Sequence, residues 1–574
     1  MIQATEIDPI PEATAHIARL AFPKGNLCIK MRDEIGTIYC DKDFEALFST
    51  QGQPAKSPWR LALVCVLQYI NDMTDRQAAD AVRGRIDWKY ALSLELTDPG
   101  FDYSILSEFR ARLIAGGVET TLLDNLLKQF KEKGIVKDKG KQRTDSTHVL
   151  AAIRKLNRLE NVAETLRAAL NAIREASCLR HIATVAPDWL HEWVPQEWFE
   201  RYKRPVDEYR LPKGVAARYE YAETIGNDGM QLLIAIYEEE TTPQWLRQIP
   251  AIEILRQTWI HQYYMDYTDI SSGEPGKLRW RKAVDLPKAG NRFNSPYDTD
   301  ARYGNKRSTT WTGYKVHITE TCDANNVHLI TNVETTQAQF SDVDQTEPIQ
   351  KELDSKGLSP SEHIVDAGYV DSELLVKSQT DFDIELIGPV RPNVSWQART
   401  PGGYDISQFR VDWEAKTVTC PQGQKSTTWT PAIDNWGNSG ISVKFPSKTC
   451  RNCDFRHLCI KSKSESEPRK LRLRPKEEHE IIQTIRKQQD TDEWKERYNT
   501  RAGIEGTLSQ GINAFGLRQA RYRGLPKVRL QHIITAVAIN VVRVVSWLDG
   551  IPHATSRISR FAALAPSIRQ KISI

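Results

Sequence analysis

Apolar runs placed behind helix-start signals dominate residues 50 to 135. Ser57-Pro58 joins a hydroxyl N-cap residue to proline at the first helical position, and RLALVCVLQYI follows directly. Thr74-x-x-Gln77 has the form of a capping box and opens a second helix. SILSEFRARLI predicts a third, with Arg110 and Arg112 beside its apolar stripe. The stretch reads as a compact helical unit. Closely spaced helices bearing arginines suit a DNA-binding domain, although most small bundles share the pattern and nothing marks a recognition helix.

After Lys141 the texture changes to the strand-like RTDSTHVLAAI, followed by a long helical stretch from Arg154 to about Ser177. Trp189, Trp193 and Trp198 come next, and packing of a helical insertion explains them better than base stacking. From Thr309 the pattern is again that of strands: TTWTGYKVHITET, NVHLITNVETT, a helix through Gln350 to Leu353, then HIVDAGYV and FDIELIGPV. With Asp145 on the earlier strand, this order predicts a mixed sheet flanked by helices. Beyond Pro392 the chain is turn-rich as far as Pro475, with DNWGNSG as a strong loop signal, and reads as an insertion. Helical pattern resumes near Lys476 and ends in an apolar helix from Val528 to Leu548. There is no internal repeat.

With 574 residues, 40% of them hydrophobic, the chain has material for several domains with real cores. A formal charge of +4 is weak for a nucleic-acid binder taken whole, but between Ile441 and Lys476 basic residues heavily outnumber acids. The opening MIQATEIDPIPEATAHIARL pairs no basic segment with an apolar core, so an unexported, cytoplasmic protein is expected. The apolar run Ile533 to Leu548 is short for a bilayer and contains Arg543, which favours a buried helix over a membrane span. Of nine cysteines, Cys28, Cys40, Cys65, Cys178 and Cys322 are isolated, which argues against a disulfide framework.

Tyr498, Arg501 and Glu505 follow one another in ERYNTRAGIEGT at intervals of three and four, so a helix would stack them on one face. Asp145 in RTDSTHV and Asp366 in HIVDAGYVD supply two further carboxylates from strand-like runs. Convergent carboxylates with open positions are what a magnesium or manganese phosphoryl-transfer site needs, though any one acid alone is more often solvated or capping. Arg501 is suited to hold a carboxylate or phosphate in a fork, and Tyr498 to hydrogen-bond or stack; helix-to-sheet packing is the plainer role for both. Gly368 lets the chain turn after Asp366. Asp371 reads as the N-cap of SELLVKS, Asp342 as a helix-start residue and His148 as a bystander.

Cys450-x2-Cys453-x5-Cys459, with Cys420 upstream, offers four thiolates for a tetrahedral structural zinc, the alternative being a reduced, partly buried cluster. Around them KFPSKTCRNCDFRHLCIKSK and PRKLRLRPK predict a phosphate-binding surface that includes Lys444, Lys448 and Arg451. Its contacts would be mainly to the DNA backbone and salt-sensitive.

In these pieces the chain resembles bacterial insertion-sequence transposases of the Asp-Asp-Glu type, in the group whose third acid lies in a Tyr-x2-Arg-x3-Glu signature. The residues that carry the resemblance are Tyr498, Arg501 and Glu505, TDSTHV around Asp145, WTGYKVHITET, VDAGYVD around Asp366, RYRGL after Leu517, and the amino-terminal helices. It runs over nearly the whole chain. The resemblance implies a multidomain α+β protein whose RNase H-like mixed sheet carries Asp145 on its first strand, Asp366 on its fourth and Glu505 on a later helix. The expected parts are an all-helical DNA-binding domain over 1–138, core over 139–153 and 305–391, a tryptophan-rich helical insertion over 154–304, a small β-rich, basic, cysteine-containing insertion over 392–475, and core helices over 476–574.

The implied activity is that of a transposase: binding terminal inverted repeats of double-stranded DNA, hydrolysing a phosphodiester and joining the 3′ end to target DNA. Asp145, Asp366 and Glu505 would hold two Mg2+ or Mn2+ ions, and a homodimer on DNA is expected. One departure is Ile512, where the signature often has a lysine. Arg518 or Arg521 would substitute if the helix ended near Gly511, and Arg523 joins them as an expected DNA contact. The alternatives are an inactive transposase-derived DNA-binding protein and an RNase H-like nuclease without strand transfer.

Overall fold

The structure, a computed structural model, describes residues 7–49, 51–52, 55–179, 193–240, 242–267, 276–435, 437–464 and 466–551, so Trp189 lies outside the described residues. Two compact units divide the chain: Met1–Val136 with Ala324–Ile330 and Ile533–Ile574, and Lys137–Asp323 with Thr331–His532.

In the first unit the three expected helices are Pro58–Ile70, Asp75–Gly84 and Ser104–Ala115. The Thr74–Gln77 capping box forms in both directions. Ser57, however, does not cap its own helix. Its hydroxyl donates to Asp41 at 2.8 Å, and the Asp41 carboxylate accepts the Trp59 N–H at 3.1 Å, so the cap comes from an upstream segment.

Arg110 corrects the expected DNA surface: it is 5% exposed and donates to Asp75 and Gln68. Its position turns inward with Leu106 and Phe109, and a guanidinium buried there has to be paired. Arg112 is exposed, over the Phe48 ring at 4.9 Å.

The apolar helix runs longer than its sequence pattern, from Leu525 to Leu548, and among the described residues it alone is long and apolar enough to span a membrane. With 83% of that window buried it is a core helix. From Ile533 onward it groups with the amino-terminal helices, which differs from the boundary expected at 476–574. The reason is local: the Asn540 amide closes both the N–H and the C=O of Ile330, each at 2.8 Å, and Arg543 donates to the His328 carbonyl at 2.7 Å.

The second unit is built on a mixed sheet, consistent with an RNase H-like core. Its strand β1 (Lys141–Leu150) precedes the helical insertion, where Arg158–Leu179, Val215–Tyr237 and Pro250–Gln262 pack around Trp198, which is 3% exposed. Trp193 lies against the same core, as the packing reading expects. A hairpin of β2 (Tyr263–Asp266) and β3 (Lys277–Trp280) closes the insertion. The sheet then continues through β4 (Arg302–Lys306), β5 (Thr309–Thr321), β6 (Ile330–Gln337), β7 (Glu362–Val365) and β8 (Glu385–Ile387).

Strand order is β4-β5-β1-β7-β8, with β6 also on β5. β1 pairs antiparallel with β5 and parallel with β7, and β7 is parallel to β8. The buried polar residues of β1 satisfy one another across the sheet: Thr144 meets Thr319 and His363 at 2.7 Å each, and Thr331 donates to Gln142 at 2.6 Å.

The turn-rich insertion holds a two-stranded sheet of β9 (Arg410–Asp412) and β10 (Thr417–Thr419). A three-stranded one follows, made of β11 (Thr428–Ile433), β12 (Ser439–Lys444) and β13 (Lys470–Leu473). Phe409, Val418, Val443, Phe445, Leu471 and Leu473 form their shared core.

Candidate active site

Asp145 lies mid-strand on β1, opposite Ile318 of β5, with its side chain 14% exposed. One carboxylate oxygen accepts the Ser146 N–H at 2.7 Å and the other accepts Arg501 at 3.0 Å. Burial pushes its carboxyl above the usual range and neighbouring Asp366 pushes the same way, against the Ser146 N–H, Lys306 and Arg501.

Asp366 follows the end of β7 and caps a short 3-10 turn by accepting the Gly368 N–H at 2.7 Å. Gly368 serves close approach here, because a Cβ would stand 2.9 Å from that carboxylate oxygen. Tyr369, fully buried, pins the turn: its hydroxyl meets His317 at 2.6 Å and its carbonyl accepts Thr346 at 2.7 Å. Asp371 caps its helix, Ser372–Phe382, by accepting the Leu374 N–H at 2.9 Å, as expected.

The signature residues do not share one helix. Tyr498 ends the helix Asp492–Asn499, Arg501 sits in the 3-10 turn Thr500–Ala502, and Glu505 is in the first turn of the helix Gly503–Phe515. The turn still gathers them. Arg501 reaches Asp145 with one nitrogen and Glu505 with another at 3.3 Å, while its guanidinium stands 6.0 Å from the centre of the Tyr498 ring. Tyr498 itself stacks on Trp494 at 4.9 Å, against Cys322, Ile364 and Ile387, so packing is its main visible role.

Asp342, expected only to start a helix, occupies an N-cap position without using its side chain there. Instead it is buried beside the two aspartates, accepting Lys315 at 2.9 Å and Ser146 at 3.3 Å, with Lys306 at 3.6 Å. Burial pushes its carboxyl up, but Lys315, His317 and Lys306 together hold it below the usual range. Sequence reasoning missed Asp342, Lys315 and Lys306. The available signal was the i, i+2 pairing of Lys315 with buried His317 on a strand. His148 packs at 5.4 Å on Trp311.

Hard carboxylate oxygens are the donors a divalent magnesium or manganese takes, and Asp145 and Asp366 stand close enough to perturb one another. Glu505, its side chain 68% exposed, is turned toward Arg501, whose positive head lies between it and Asp145. The residues fit such an ion by chemistry. As placed, no three His, Cys, Asp or Glu side chains among the described residues converge tightly enough to share an ion.

The same holds for the cysteines. Cys420, Cys450, Cys453 and Cys459 line one small cavity of about 40 Å³ and form no disulfide, but they do not close on a common point. Burial pushes the Cys459 thiol up to about 11. Around them Lys444, Lys448 and Arg451 are exposed.

The helix carrying Glu505 does not end near Gly511. It continues to Phe515 and stops at Gly516, whose φ of 63° gives the left-handed cap. The chain then runs beside the end of β1, where Leu150 pairs with Gln519 and Arg518 donates to Thr147 at 2.8 Å. Arg518 thus lies near Asp145 without the early helix end. Arg521 is half-buried, and Arg523 is exposed beside Tyr297.

Two family models match the chain: a Transposase DDE domain over residues 419–545, which includes Glu505, and a Transposase domain (DUF772) over residues 18–112. No curated protein and no solved structure matches. The two matches lie in different parts of the chain, both are transposase domains, and together they support an insertion-sequence DDE transposase.

Proposed function

We propose that this protein is an active DNA transposase that binds the terminal inverted repeats of its element, cleaves a phosphodiester to expose a 3′-hydroxyl and joins that end to target DNA. The observation that carries this reading is that Arg501 bonds both Asp145 and Glu505, from separate parts of the chain, with Asp366 close enough to act on Asp145 and Arg501. The three carboxylates would hold two Mg2+ or Mn2+ ions, which when bound supply an activated oxygen nucleophile and charge neutralisation at the phosphate.

The chain's own groups prepare that chemistry. Ser146 N–H and Gly368 N–H aim the two aspartates, and the Tyr369–His317 contact fixes the turn between them and the sheet. Arg501 and half-exposed Lys306 place positive charge where a DNA phosphate would enter. Arg112, Lys444, Lys448, Arg451, Arg518, Arg521 and Arg523 would hold the DNA backbone, with a homodimer pairing the two ends; buried Arg110 leaves this set.

Asp145→Asn tests the reading. Cleavage of an inverted-repeat substrate with Mn2+ should fall on the order of a thousandfold or more while end binding stays near wild type. Undiminished cleavage sinks the assignment, and absence of joined products from a pre-cleaved 3′ end would leave a nuclease without strand transfer.

The cysteine cavity supports a structural zinc as part of this reading. Arg469 donates to the Cys459 carbonyl at 2.8 Å, placing positive charge beside sulfurs that zinc would draw together and deprotonate. Elemental analysis of protein purified without chelator should find about one zinc per chain; none would leave a reduced cluster.

A further inference from the structure

Beneath the carboxylates lies a second, dry set of polar groups. Arg143 and Glu320 face each other across β1 and β5, with side chains 6% and 0% exposed. The guanidinium grips one Glu320 oxygen through two nitrogens, at 2.7 and 2.6 Å, and spends a third nitrogen on the Thr500 carbonyl. The other Glu320 oxygen accepts the hydroxyl of Thr507. One ion pair therefore holds both the turn before the Glu505 helix and the second turn of that helix.

Gly503, where the helix begins, lies flat on the same guanidinium: a Cβ there would come within 2.2 Å of an Arg143 nitrogen. Its φ is not positive, so the glycine serves contact rather than backbone freedom. Gly506, one residue past Glu505, has open space where its Cβ would go. Arg143 is also two residues before Asp145 on one face of β1, so the pair references the Glu505 helix to the strand that carries the first aspartate.

We propose that Arg143 and Glu320, with Gly503 as their contact surface, are positioning residues that set the separation of Glu505 from Asp145 and hence the affinity of the site for its divalent cation. This rests on the reading of Asp145 and Glu505 as cation ligands. Groups that orient ligands from behind typically change metal affinity by about 10- to 100-fold when altered.

The experiment compares Gly503→Ala, Gly506→Ala and Arg143→Lys with wild type, using Mn2+ alone as the probe in a titration followed by electron paramagnetic resonance. Cleavage and metal-free binding of element ends are measured in parallel. Gly503→Ala and Arg143→Lys are expected to raise the half-saturating Mn2+ concentration about tenfold or more, with end binding unchanged within about twofold. Gly506→Ala should leave Mn2+ affinity as in wild type.

A merely structural role would lower the melting temperature yet leave the Mn2+ affinity of the folded protein unmoved. That result in Gly503→Ala overturns the proposal even if Arg143→Lys fails to fold. Wild type that binds no Mn2+ overturns the ligand reading and the proposal with it. Wild-type binding lost in Asp145→Asn but untouched in Gly503→Ala overturns the proposal alone.

Discussion

Two arginine–glutamate pairs bear on the short turn at residues 500–505. Arg143 and Glu320 are 6% and 0% exposed, and every oxygen of the glutamate is engaged by protein. Arg501 and Glu505 are 18% and 68% exposed, and the glutamate meets the arginine at 3.3 Å with most of its surface in water. The first pair is a joint, because burying both charges makes any loss of one partner costly. The second is an arrangement that can be exchanged, because water screens it and the same arginine is shared with Asp145. On the proposed reading, a site that admits a cation and a DNA strand is better served by loosely held charges resting on tightly held ones.

The sharpest way to break this contrast is to remove each glutamate. Glu320→Ala should cost about 3–5 kcal/mol of the second unit's stability in urea melts, since Arg143 is left buried and uncompensated. Glu505→Ala should instead leave the melt within about 1 kcal/mol while eliminating cleavage. Equal destabilisation by both would end the distinction.

Acid should act on the same unit by another route. Burial holds His317 and His363 down to about 4 and His532 to about 3, so these rings fold neutral. Each gives full stability above the ordinary histidine range near 6.5 and loses it as pH falls toward the folded value, because only the unfolded chain then takes the proton. The loss should be on the order of a few kcal/mol for each ring between pH 6.5 and 4, read from urea midpoints. A flat profile through that window would show that the rings are solvated. The smallest effect is expected from Arg501→Ala, about 1 kcal/mol or less in stability, with a clear fall in cleavage rate.

The sheet was readable because its strands announce themselves: TTWTGYKVHITET and NVHLITNVETT became β5 and β6. Helix ends in the first unit were readable where the cap is local, as at Thr74, and misread where it is not, as at Ser57, whose helix is capped by Asp41. Arg110 looked like a DNA contact because charge in a helix suggests surface, and only its distant partner Asp75 reveals burial. Tyr498, Arg501 and Glu505 have helical spacing, yet the turn at Thr500–Ala502 breaks the helix and Arg501 does the gathering. Asp342, Arg143 and Glu320 carry no local mark, since their roles arise from strand pairing and from contacts more than a hundred residues apart. Glu505 stood out in the sequence as a candidate, but the Arg143–Glu320 pair behind its helix did not.

The apolar helix that ends at Leu548 has a consequence for how the protein is made. Its later turns complete the first unit, where Asn540 and Arg543 bond residues 328–330, and Lys30 meets Asp549 at 2.7 Å. The ribosome therefore delivers the amino-terminal helices long before the segment from Ile533 onward that groups with them. Until that segment is made, those helices lack part of their unit, and a fragment stopping at Val136 would emerge from synthesis with its core unfinished.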